Sequence, residues 1–230
     1  MFEVPRSVPR GNPWRLALLW MGVAVIGIVV NTLIYPLVFG VFDGVIDNFA
    51  VVTSVIFLLV GLLTVTLQWL VLRRFFPGMQ RWVPLLGGIL LLQMLLQQGM
   101  HALVEALLFA AGIARRSGGL IESSALAAGL VVSVFWALVS GIAGGRLFRP
   151  SVPRAWRWPA ALVAGAAGQT LVTTLVLLPM IRSGVGGNAT IYGVVSIATS
   201  LLSAALQAAV LALFLREQQR PGAGLPSPIQ

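Results

Sequence analysis

The chain has 230 residues, 58% of them apolar and 9% charged, with a mean hydropathy of +0.97. Soluble domains carry about 25% charged residues, so the composition excludes an ordinary soluble domain and points to an integral membrane protein. The net charge of +9 is carried by arginine alone, and a chain without lysine cannot hold retinal as a Schiff base. The absence of cysteine excludes disulfides, thiolate metal sites and thiol catalysis. A lysine-free basic balance fits the coding bias of a GC-rich genome, and the expected location is a bacterial cytoplasmic (inner) membrane.

Residues 1–13 are polar and contain Pro5, Pro9 and Pro13, which predicts an irregular or surface-lying cytoplasmic segment. The apolar run from about Trp14 to Phe42 is too long for a signal-peptide core of about 7–15 residues and shows no small-x-small cleavage site, so it is expected to be a retained helix. Asp43, Gly44 and Asp47 make a short acidic turn. A second span covers about Asn48 to Leu72, and a third runs from Arg81 to Gly112 after a break at Pro77-Gly78. Arg115 to Gly119 reads as a turn. The fourth span, about Ile121 to Leu147, ends at Arg146 and Arg149, and the fifth runs from Trp156 to about Ile181. The sixth occupies about Thr190 to Leu215, and residues 217–230 form a Pro/Gly tail with nothing to bury. Each run suffices to cross the ~30 Å hydrocarbon layer, which takes about 20 residues. The predicted fold is an all-α polytopic bundle of six transmembrane helices, with the transmembrane domain over 14–216.

Arginine sets the orientation. With the N-terminus inside, only Arg115, Arg116 and Arg182 fall outside, and the other arginines gather on the cytoplasmic side. Both termini are then cytoplasmic. Trp14, Trp82, Trp156 and Trp158 are expected to form the inner aromatic belt. The arginines stand at the ends of apolar runs rather than along one face, which favours lipid headgroups over nucleic acid as their partner.

A weak threefold repeat of helical hairpins is also legible. Arg81-Trp82 precedes Gln93 by the same interval as Arg157-Trp158 precedes Gln169, and LQWLVL at 67–72 echoes LQAAVL at 206–211.

Two patterns are candidates for specific roles. In the fourth span Ala125, Gly129, Ser133, Ala137, Gly141 and Gly145 recur every fourth residue. Small residues let backbones approach, so this row is predicted to be a helix-packing seam. Ser196, Ser200, Ala204, Ala208 and Ala212 form a second row, and Ala160, Ala164 and Gly168 a shorter third. In the third span Gln93, Gln97, His101 and Glu105 recur at the same interval, with Gln98 beside them. Residues four apart share a helical face, so they form an intramembrane polar stripe. An ionised carboxylate in hydrocarbon is costly, and Glu105 is expected to face the bundle interior, a partner or water. The stripe reads either as interhelical glue or as a proton-relay or binding site. His101 is the one residue that could hold a haem or chlorin, although no cofactor is expected. Asn31, Gln68, Gln169, Thr170, Thr173, Thr174 and Gln207 are further polar positions; together with the stripe they would build a pocket only if the fold brings them together.

One histidine is a poor source for a three-ligand metal site, and no metal is predicted. Phosphate loops, serine elbows and His-Glu zinc motifs are missing, so the chain is not expected to be an enzyme. The leading expectation is a non-catalytic membrane subunit of a larger complex, in contact with the lipid bilayer and other membrane subunits. The alternative is a small transporter, or a transporter's substrate-binding component, using Glu105 and His101.

Overall fold

The computed structural model describes residues 11–42, 49–76, 78–112, 121–182 and 189–219. They form six long helices: α1 (Pro13–Phe42), α2 (Phe49–Leu72), α3 (Trp82–Ala110), α4 (Ile121–Phe148), α5 (Arg157–Arg182) and α6 (Ala189–Gln218). There is no strand among the described residues. All six helices are long and apolar enough to cross a membrane, which makes the chain a multi-pass membrane protein. The acidic turn, the 115–119 turn, the 184–188 loop and most of both terminal segments lie outside the described residues.

Local chemistry explains the helix ends that are described. Asn12 caps α1 by accepting the Trp14 backbone N–H on its Oδ1 at 2.9 Å, and Pro13 takes the first helical position, where its missing N–H costs nothing. α3 ends at Gly112, whose φ of 71° lets the chain turn left-handed while its N–H returns to the Phe109 carbonyl. Gly78, with φ 82°, breaks the chain before the single 3-10 turn at Met79–Arg81.

The helices pack in chain order, each on the next, and α1 packs on α6. The result is a closed ring of six. Glycines mark its close approaches. A Cβ on Gly61 of α2 would stand 3.1 Å from Leu90 of α3, and one on Gly27 of α1 would stand 3.1 Å from the Thr64 hydroxyl of α2. Between α5 and α6, Gly165 lies directly against Ser203.

One end of the ring is filled. Trp20, Phe76, Trp82, Phe148, Trp158 and Phe214 are almost completely buried there, and their rings meet edge to face at centroid separations of 5.2–5.9 Å. This arrangement suits the aromatic quadrupole. Two of the four tryptophans assigned to an interfacial belt are therefore core residues: Trp82 is 0% exposed and Trp158 2%, while Trp14 and Trp156 are each 67% exposed. Gly144 makes the room, since a Cβ there would stand 2.7 Å from the Trp158 indole nitrogen.

The same end is tied together by polar contacts at its rim. Arg157 donates to Glu217 at 2.8 Å, linking the start of α5 to the end of α6. Gln218 donates to the Ser151 carbonyl and Gln219 to that of Gly11. These contacts accompany the continuation of α6 to Gln218, three residues beyond the predicted end of the sixth span.

Candidate functional site

Above the aromatic floor lies an open cavity of about 580 Å³, bounded by α1, α2 and α6 with one residue each from α3 and α5. Small residues of α6 help to open it: Gly193 and Ala204 line it, and the Cβ position of Gly193 is open. Ligand sites commonly measure 300–1,000 Å³, so this volume suits a small molecule.

The lining is uncharged and mixes apolar residues such as Phe57, Val60 and Ile197 with polar ones. Four amides from four helices converge on it: Asn31 from α1, Gln68 from α2, Gln169 from α5 and Gln207 from α6. Five hydroxyls join them, from Thr32, Thr64, Ser196, Ser200 and Ser203. No titratable side chain belongs to the described wall. Gln169 Nε2 donates to the Ser200 hydroxyl at 3.3 Å, and Gln207 Nε2 to that of Ser203 at 3.4 Å. Thr32 and Thr64 donate to carbonyls of their own helices. Asn31 and Gln68 have no protein hydrogen-bond partner among the described residues. Asn31 is exposed and Gln68 half-buried, so both amides face the cavity space, where water or a ligand can pair with them. Every amide offers both donors and an acceptor, and the site can therefore read a ligand that does the same.

The polar stripe on α3 is elsewhere. Leu90 is the residue α3 contributes to the cavity, and none of Gln93, Gln97, His101 and Glu105 lines it. Gln93, Gln97 and His101 are half-buried, whereas Glu105 is exposed. Leu91, Leu95, Leu103 and Leu107 form the outward, lipid-facing row of α3. Gln93, Gln97 and His101 are displaced from that row by two residues, or about 200° around the helix, and so lie away from it. Glu105 instead shares an exposed face with Phe109, four residues on and 49% exposed. His101 Nδ1 donates to the Gln97 carbonyl at 3.0 Å, because a carbonyl can only accept. Its Nε2 then faces α4, 4.0 Å from the Cβ position of Gly129. Glu105 has no hydrogen-bond or ion-pair partner among the described residues, and the Gln98 side chain lies outside them. No group of three or more metal-ligating side chains occurs among the described residues.

The α4 row divides between two neighbours. A Cβ on Gly141 would stand 2.6 Å from Pro159 Cα, and one on Gly145 3.3 Å from Pro159 Cδ. Ser133 shares a 3.0 Å hydrogen bond with Thr170 of α5. Ala137 lies half-buried between them, while Gly129 turns toward His101 on α3. The α6 row is also divided: Ser196, Ser200 and Ala204 line the cavity, and Ala208 is buried in the aromatic end. The short α5 row is not a seam. Ala160 and Ala164 are exposed and the Cβ position of Gly168 is open; the packed residues are Ala161 and Gly165, one position later. The register shift puts Gln169 into the cavity, four residues after Gly165.

The four cavity amides had each been visible as isolated polar residues. The signal that joins two of them is the LQWLVL/LQAAVL echo, since Gln68 and Gln207 hold equivalent places in it and both reach the cavity. Compared with family models, curated proteins and solved structures, the chain matches none.

Proposed function

We propose that this protein is a non-catalytic, membrane-embedded binding component for a small uncharged molecule, acting in transport across a bacterial cytoplasmic membrane with the arginine-rich end inside. The observation that carries this reading is the convergence of four amides and five hydroxyls from separate helices on one cavity above a closed aromatic floor. Helix packing alone does not call for it, and the Asn31 and Gln68 amides, without protein partners among the described residues, are open to a ligand's hydrogen bonds. An ionised ligand would find no opposite charge in the described wall to offset its desolvation. On this reading the site lies not on the α3 stripe, where the histidine and glutamate draw attention, but at the interior faces of α1, α2 and α6 with Gln169 of α5.

The test uses the full chain in phosphatidylcholine nanodiscs, with glycerol, nicotinamide and uridine as uncharged probes and nicotinate and uridine monophosphate as charged ones. Thermal unfolding is expected to shift upward saturably with at least one uncharged probe, and the shift is expected to vanish in the variant carrying Gln68→Leu and Gln169→Leu. Stabilisation by charged probes alone, or an equal response from that variant, would refute the reading.

A second reading, a subunit that assembles with other membrane proteins, draws on the outward leucine row of α3, where Leu95, Leu103 and Leu107 are each about 60% exposed. Such a face serves lipid equally well. Crosslinking of a partner through that row would favour the subunit reading.

A further inference from the structure

The cavity has a neighbour. A second space of about 350 Å³ lies on the α1/α6 side of the ring, walled by Val25, Val29, Leu33 and Leu201. Three residues, Ile28, Thr32 and Ile197, belong to both walls, so the two spaces adjoin. They differ in chemistry: one carries amides and hydroxyls among its apolar lining, the other is walled by hydrocarbon. Thr32 is no exception, because its hydroxyl donates to the Ile28 carbonyl at 2.8 Å and is thereby engaged within its own helix.

The seam between α1 and α6 explains why the groove exists. At the arginine-rich end Leu16 and Trp20 of α1 share one buried cluster with Leu211 and Leu215 of α6. Farther along, Val25 and Val29 are 45% and 47% exposed, Leu33 is 57% exposed and Ile197 is 37% exposed. The two helices close the ring tightly at one end and leave a groove at the other.

From this arrangement we infer that the ligand is an uncharged single-chain amphiphile, its hydrogen-bonding head held by the cavity amides and its hydrocarbon tail lying in the α1/α6 groove. The inference rests on reading the cavity as a binding site and adds the ligand's second half and its route. A purely polar solute crossing this hydrocarbon wall would have to shed its water, at a cost of roughly 4–8 kcal/mol for each amide-like or hydroxyl group left unpaired. An amphiphile already dissolved in the bilayer presents its tail to the groove and needs to move only its head sideways. A charged head would meet no counter-charge in the described wall, so the head is neutral. Glycerol monoesters and long-chain alcohols or amides have the required form.

The experiment uses the full chain in phosphatidylcholine nanodiscs and a monoacylglycerol bearing a diazirine in its tail, with crosslinked peptides mapped by mass spectrometry. Labelling is expected to concentrate on residues 25–33 and 197–201, and excess unlabelled monooleoylglycerol, but not oleate, should reduce it at least fivefold. Ile197→Trp and, separately, Leu201→Trp fill the groove and should lower the competable label about tenfold at unchanged thermal stability. Label spread over all outward faces and insensitive to competition would overturn the inference. Competable binding that is lost in Gln68→Leu yet untouched by both tryptophan variants would overturn the tail placement while leaving the cavity reading intact. Binding that is lost in the tryptophan variants but unaffected by Gln68→Leu and Gln169→Leu would overturn both.

Discussion

Gly141 of α4 and Pro159 of α5 touch so closely that a methyl group on the glycine would stand 2.6 Å from the proline Cα. The obstructing atom is backbone, so a side-chain rotation cannot relieve the clash, and α4 and α5 would have to separate. Overpacking of this kind costs about 1–3 kcal/mol. Gly141→Ala is therefore expected to lower the unfolding temperature in detergent, and Gly141→Leu to lower it further. Gly168→Ala is the control. Its Cβ position is open, and replacing a helical glycine by alanine contributes about 0.8–1 kcal/mol in favour of the helix. Thermal melts that fail to rank Gly168→Ala above Gly141→Ala would contradict the assigned seam.

Glu217 should matter for stability more than its position near the chain end suggests. Its side chain is 16% exposed and receives Arg157 at 2.8 Å, with the 60% exposed Arg154 farther off at 3.7 Å. Removing one member of a largely buried pair strands the other charge, at about 3–5 kcal/mol when burial is complete; the 27% exposure of Arg157 and solvent screening reduce this to roughly 1–3 kcal/mol. Glu217→Ala is expected to destabilise by that amount and to loosen α6 at the arginine-rich rim, which hydrogen exchange of residues 211–218 would register. Arg154→Ala should cost no more than about 1 kcal/mol, as exposed pairs do.

Ligand binding in the cavity should be insensitive to pH. The described wall contains amides, hydroxyls and hydrocarbon, none of which changes charge between pH 5 and pH 9. Affinity of an uncharged probe, measured by thermal shift across that range, is expected to vary less than twofold. A tenfold change with a midpoint near neutrality would implicate His101 or another titrating group in the site.

Glu105→Gln and His101→Gln separate the two candidate sites directly. His101 is half-buried against α4 and Glu105 is exposed, and neither reaches the cavity. Probe affinity should change less than threefold in either variant, and Gln169→Leu should reduce it at least tenfold. The reverse ranking would return the functional centre to the α3 stripe.

Trp158→Ala tests the aromatic floor. Its indole touches Trp20, Trp82 and Phe148, and truncating a core tryptophan costs about 3–5 kcal/mol. Trp156→Ala, two residues away but exposed, should be nearly neutral in the same melts.

Six crossings, all-helical architecture and segregation of arginine to one set of helix ends could be read from residue order alone, because the cost of placing backbone and charge in hydrocarbon acts locally on each segment. A row of small residues on one face of α4 was legible for a related reason, since four-residue spacing keeps them together wherever the helix sits; which neighbours that row meets was not. The polar centre was not legible in this way. His101 and Glu105 attract notice through side-chain type, whereas Asn31, Gln68, Gln169 and Gln207 are ordinary residues scattered over 177 positions of the chain. Helix rotation and ring closure decide which of them face one another, as the one-residue shift from Ala160 and Ala164 to Ala161 and Gly165 demonstrates. Burial of Trp82 and Trp158 also depended on tertiary structure, since an interfacial tryptophan and a core tryptophan look identical in a sequence. Membrane insertion is a property of each segment by itself, while a cavity belongs to the spaces between segments, and those exist only once the helices have packed.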